Sequence, residues 1–148
     1  MPPAERTDSV EALRHALRDF LAAQRRLRGR EAQRSGELSF SQYAVLRVLA
    51  DGGEHSAGEL ANAADLTPAS ITKMLDGLSR AGQLERVRDE SDRRRVGVRI
   101  TPLGLAVFEE KDRQLTDAWQ VALAELDPEE LDAMVTAMRR LSALFDAI

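Results

Sequence analysis

Between Thr67 and Thr101 the chain carries eight basic residues, Lys73, Arg80, Arg86, Arg88, Arg93, Arg94, Arg95 and Arg99, against five acidic ones. That local excess of three leaves the rest of the sequence at −7 within an overall net charge of −4. Only one basic face is needed to meet phosphate, so the acidic total does not exclude a nucleic-acid partner. Two groups in this window have types and spacing suited to that chemistry. The first is Pro68, Ala69, Ser70, Thr72, Lys73 and Asp76. Ala69 and Ser70 are small enough for close approach to a base edge. The hydroxyls of Ser70 and Thr72 can donate or accept, and Lys73 can reach guanine or phosphate. Asp76 either pairs with Lys73 or Arg80 on a neighbouring turn or accepts from a cytosine amine. The second group is Asp92, Arg93, Arg94 and Arg95. Three adjacent arginines on a narrow projection suit a minor groove. Asp92 opposes phosphate unless its carboxylate orients a guanidinium.

Other chemistry is poorly supplied. The 148 residues contain no Cys, which removes disulfides, thiolate metal sites, a cysteine nucleophile and thiol redox sensing. His15 and His55 are the only histidines and lie far apart, so no metal cluster is expected. There is no glycine-rich phosphate loop and no nucleophile–base pair, so neither catalytic residues nor a cofactor is expected. No apolar run nears the roughly 18 residues of a membrane span. The N-terminus lacks the basic-then-apolar order of a secretion signal, which makes the cytoplasm the expected address.

The elements that must position these groups are marked by caps and periodicity. Asp8 with Glu11 forms a capping-box pattern ahead of Val10, Leu13, Leu17, Phe20, Leu21 and Leu27, predicting a helix from about residue 9 to Ser35-Gly36. Ser39 with Gln42, and Ser56 with Glu59, open two shorter helices. Thr67-Pro68 supplies a cap and a first-turn proline for a helix with Ile71, Met74, Leu75 and Leu78 on one stripe, ended by Gly82. At about 100° per residue, that stripe turns Ala69, Lys73, Asp76 and Arg80 outward. The period then changes, with Leu84 to Arg88 and the alternating Val96 to Ile100 reading as two strands around a polar turn. Thr101-Pro102 opens a helix expected to reach Leu126, and Asp127-Pro128 caps the last one.

Short helix, tight turn, second helix with a polar outer face, then a basic-tipped hairpin: this order is that of a winged helix-turn-helix. The expected fold is mainly α with a small β-hairpin wing. In the last helix Leu131, Met134, Met138, Leu141, Phe145 and Ile148 recur at steps of three and four. Such a stripe needs a helical partner, in its own subunit or in a second copy. The division by role is then 1–36 and 102–148 for dimerisation, flanking a DNA-binding segment at 37–101. A dimer would set its half-sites about 34 Å apart on an inverted-repeat operator of double-stranded DNA.

The chain resembles the MarR family of bacterial regulators. The likeness is sharpest in Asp65-Leu66-Thr67-Pro68-Ala69-Ser70-Ile71-Thr72, in Leu78 followed by Ala81-Gly82, and in Asp89-Glu90-Ser91-Asp92-Arg93-Arg94 leading to Val98-Arg99-Ile100-Thr101. The resemblance implies a homodimer interlocked through its first and last two helices. It implies Ser70, Thr72 and Lys73 as recognition-helix contacts, Arg94 as the wing arginine and Asp92 as its support. It further implies a repressor released by a small aromatic, phenolic or other lipophilic ligand. A pocket for that effector is sought among Phe20, Tyr43 and Phe108, with His15 as a polar contact. Two alternatives stay open: a regulator without a ligand, and a winged-helix docking module for other proteins.

Overall fold

The computed structural model describes residues 3–31, 37–88, 90–92, 94 and 96–148. Its helices are α1 (Pro3–Glu31), α2 (Phe40–Ala50), α3 (Ala57–Ala64), α4 (Pro68–Arg80), α5 (Pro102–Ala122) and α6 (Pro128–Asp146). Strands β1 (Leu84–Arg88) and β2 (Val96–Ile100) lie between α4 and α5.

Most boundaries follow from the caps. Ser39 accepts from the Gln42 N–H while the Gln42 side chain returns to the Ser39 N–H, satisfying two orphan donors of α2 at once. Asp127 and Glu130 do the same for α6. Two ends differ from expectation. Helix α1 begins at Pro3, so Asp8 and Glu11 lie inside it, and Ser9 donates its hydroxyl to the Glu5 carbonyl at 2.9 Å. A proline suits a first helical position, and the capping-box spacing also occurs on any helical surface. The expected terminator Ser35-Gly36 lies outside the described residues. Helix α5 stops at Ala122 rather than Leu126; Ala124 and Leu126 donate to carbonyls three residues back, the tightening usual at a helix end.

The strands pair antiparallel in the register Leu84 with Ile100, Arg86 with Val98 and Arg88 with Val96. His55 adds a single bridge on the other edge of β2, exchanging both backbone hydrogen bonds with Val98 at 3.0 and 2.8 Å. Around this frame lies the core: Val45, Leu46 and Leu49 of α2, Leu60, Ala61 and Ala64 of α3, Ile71, Leu75 and Leu78 of α4, with Leu84 and Val98 from the hairpin. Leucine and valine fill a volume enclosed by three short helices and a sheet, so each helix needs only one apolar stripe.

Two compact units make up the chain, Met1–Lys111 and Asp112–Ile148. Within the first, Thr101 ties the hairpin to the start of α5. Its hydroxyl donates to the Gly82 carbonyl at 2.6 Å and accepts the Gly104 N–H at 3.1 Å. Gly82 takes a left-handed φ of 73°, which the turn after α4 requires. Gly104 is buried, and a Cβ there would overlap the Gln83 carbonyl. Within the second unit, α6 has no buried residue in the single chain.

Candidate nucleic-acid interface

Helix α4 is held at its start by local chemistry. Thr67 is extended, and its Oγ1 accepts the Ser70 N–H at 3.2 Å, with Pro68 at the first helical position. Asp65 closes α3 in the left-handed region at φ 53°, and Leu66, half-buried, packs against the core cluster that includes Ile71. The three-residue turn 65–67 therefore aims α4 by a polar cap on one side and an apolar anchor on the other. Ile71, Leu75 and Leu78 are buried and Met74 is half-buried. Pro68, Ala69, Ser70, Thr72 and Lys73 are exposed, so the structure brings these five expected contacts onto one open surface.

The hydroxyls on that surface are not equivalent. Thr72 donates to the Pro68 carbonyl at 2.9 Å, so its proton is used within the helix and outward it offers an acceptor and a methyl group. Ser70 Oγ lies 3.0 Å from Thr67 Oγ1 in the cap. Asp76, half-buried, has a different partner from the two expected. Its carboxylate pairs with Arg86 of β1, while Arg80 Nε donates to the Asp76 main-chain carbonyl at 3.3 Å. The sequence spacing missed this pair because the partner lies ten residues on, across the turn into the hairpin.

The hairpin shows two faces of different charge. On one, Leu84 is buried, Arg86 is bound to Asp76, and Arg88 follows toward the tip opposite Val96. On the other, Arg99 Nε is 2.5 Å from the Glu85 carboxylate directly across the ladder. That bond and charge raise the Arg99 pKa above its ordinary value. At the tip, Asp92 Oδ1 accepts the backbone N–H of Arg94 at 3.0 Å. The carboxylate thus shapes the turn under Arg94, where a guanidinium partner had been expected. Arg94 is exposed; Arg93 and Arg95 lie outside the described residues.

Two clefts flank the hairpin. A groove of about 390 Å³ between α4 and the strands is lined by Thr72, Leu75, Arg86, Arg88, Val96 and Val98, with Ala57 of α3 also on its wall. A wider one of about 650 Å³ opens at the start of α3, with Glu54, His55, Glu59 and Arg94 on its walls. There His55 Nδ1 lies 3.0 Å from Glu59 Oε2, and the Ser56 hydroxyl accepts the Glu59 N–H. Among the described residues no group of three or more His, Asp or Glu could hold a metal ion.

The remaining expected sites fall on α1, α2, α5 and the region of α6. Tyr43 and Phe108 are half-buried and stack at 5.4 Å with 20° between planes. Phe40, which the sequence reading did not include, meets Tyr43 edge-on at 6.4 Å. His15 and Phe20 are exposed on α1, and the His15 ring accepts from Arg18 at 2.9 Å. On α6, Met134, Met138 and Phe145 are exposed and Leu131 and Leu141 half-buried; Val135 and Leu144 widen the open apolar face, while Ile148, expected on this stripe, is exposed beyond the helix end at Asp146.

Comparison with known proteins agrees with this geometry. Residues 38–96 match the MarR family model. The chain is 27% identical over 107 residues to the HTH-type transcriptional regulator FarR of Neisseria gonorrhoeae, covering 72% of this chain and 73% of that protein. A MarR family protein from Bacillus stearothermophilus superposes with a TM-score of 0.75 at 26% identity, covering 95% and 97% of the two chains. Bordetella bronchiseptica BpsR, whose DNA binding is regulated by 6-hydroxynicotinic acid, superposes with a TM-score of 0.69 at 27% identity, over 88% and 98%.

Proposed function

The chain belongs to the MarR family of transcriptional regulators, and from that premise we propose a homodimeric repressor that reads an inverted-repeat operator and is released by a small aromatic ligand. The observation that carries the reading is the split character of α4. Its inner stripe is core, while Pro68, Ala69, Ser70, Thr72 and Lys73 are exposed, and Arg94 is exposed at the hairpin tip in a turn whose backbone Asp92 holds. Small and polar residues at a helix start suit a major groove, and an exposed arginine at a hairpin tip suits a minor groove. The described residues include no helix long and apolar enough to cross a membrane. The protein works in the cytoplasm, without catalytic residues or a cofactor.

Dimerisation falls to the segments 1–36 and 102–148, and DNA reading to 37–101. The open apolar stripe of α6 supports this division, because a helix facing water with Met134, Val135, Met138, Leu144 and Phe145 is stable only when covered. The half-buried stack of Tyr43 on Phe108 is the apolar feature best suited to an aromatic effector. Such a ligand acts by favouring the dimer that cannot bind DNA, and a coupling of about 1–3 kcal/mol weakens the operator complex roughly 5–150-fold.

Selection from a random duplex pool tests the reading. The wild-type protein is expected to recover an inverted repeat with half-sites about 34 Å apart. Arg94→Ala is expected to bind that repeat at least about tenfold more weakly, a loss of about 1.4 kcal/mol, with the dimer intact. Recovery of no sequence would favour the docking alternative, and unchanged affinity in the variant would take the hairpin tip out of the mechanism.

A further inference from the structure

The basic residues of the winged region differ in how much of their charge is free. Arg86 is held by Asp76 and Arg99 by Glu85. Arg88 is exposed and has no carboxylate partner among the described residues. It lies on the same face of β1 as Leu84 and Arg86, two residues nearer the tip. That position puts it in the groove between α4 and the hairpin, with Thr72 on the helix side and Val96 and Val98 on the strand side.

The location matters because of how a duplex is built. A single sugar–phosphate strand separates a major groove from the neighbouring minor groove. A protein with α4 in the first and a hairpin tip in the second must straddle that strand. The groove of about 390 Å³ between α4 and the hairpin is the space left for it. Its base is apolar, from Leu75 and Val98, and Thr72 has spent its proton on Pro68. Among the described residues the unpaired positive charge in the groove is therefore that of Arg88, since the Arg86 charge is matched by Asp76.

We infer that Arg88 is a further DNA contact, holding a backbone phosphate of the strand that passes between the recognition helix and the wing. The inference rests on the DNA-binding reading above and adds a residue to it. Arg88 positions the duplex and carries no sequence information, in contrast to the outward residues of α4.

Salt dependence separates these roles. Binding of the wild type and of Arg88→Gln is measured by fluorescence anisotropy on the selected operator and on an unrelated duplex, across a series of salt concentrations. Each phosphate neutralised contributes roughly −0.9 to the slope of log K against log salt. A dimer losing two Arg88 contacts is expected to show a slope shallower by about 1.8. Its affinity falls by the same factor on both duplexes, and Arg88→Lys restores the slope. Circular dichroism is expected to be unchanged, since the side chain is exposed. An undiminished slope in Arg88→Gln, with wild-type binding intact, would overturn the assignment and leave the regulator reading standing. A loss confined to one base position would overturn it as well, by making Arg88 a base reader. Absence of DNA binding by the wild type would overturn both.

Discussion

The winged region and the last helix use the same residue types to opposite ends. In the first, Leu46, Leu49, Leu60, Leu75, Leu78 and Leu84 are almost entirely removed from water by elements of their own chain. In α6, an equally periodic stripe leaves no residue buried, with Leu144 at 54% and Phe145 at 62% exposure. Amphipathic spacing therefore fixes which face of a helix seeks cover and is silent about what provides it. Short helices folded around a hairpin supply their own cover. A helix of about 28 Å, with its long axis open, does not.

Substitutions that treat the two leucine sets alike should separate them. Leu46→Ala leaves a cavity in a filled core and is expected to lower stability by about 2–5 kcal/mol, read as a fall in denaturant midpoint. Leu141→Glu places a charge on the α6 stripe. Its expected effect is on assembly: a dimer dissociation constant raised roughly 100-fold, about 2.7 kcal/mol, seen by sedimentation while the helical content of the winged region is kept. If Leu141→Glu also melted the winged region, the two would be one cooperative unit and the contrast would fail. An intact dimer in that variant would move the interface off this stripe.

What was legible in the sequence tracks the range of the interaction. The caps at Ser39, Thr67 and Asp127 were readable because each is completed within three residues. So was the inner stripe of α4. The capping-box pattern at Asp8 and Glu11 misled because that spacing is not unique to a helix start. The pairing of Asp76 with Arg86, the His55 bridge to Val98 and the packing of Phe40 on Tyr43 were not readable as such. The first two join separate elements, and the third needs a known helix register to be told from any other aromatic pair. The polarity of Thr72 was likewise hidden, since a threonine offers the same groups in any sequence until its neighbour's carbonyl takes the proton.

The smallest effect draws the comparison most finely, because both regions open a helix with the same kind of bond. Thr67 accepts the Ser70 N–H at the start of α4, and Asp127 accepts the Glu130 N–H at 2.9 Å at the start of α6. Removing either cap, as Thr67→Ala or Asp127→Ala, is expected to cost about 1 kcal/mol. The cost should emerge in different measurements. Thr67 orders the turn that carries Ser70 and Thr72, so its loss lowers operator affinity several-fold even where the protein is fully dimeric, and Thr67→Ser restores it. Asp127 orders the start of α6, so its loss raises the dimer dissociation constant and spares operator affinity once protein concentration saturates the dimer. Equal losses of operator affinity from both caps, at saturating dimer, would mean that α6 sets the geometry of the recognition helix as well as the association of the chains.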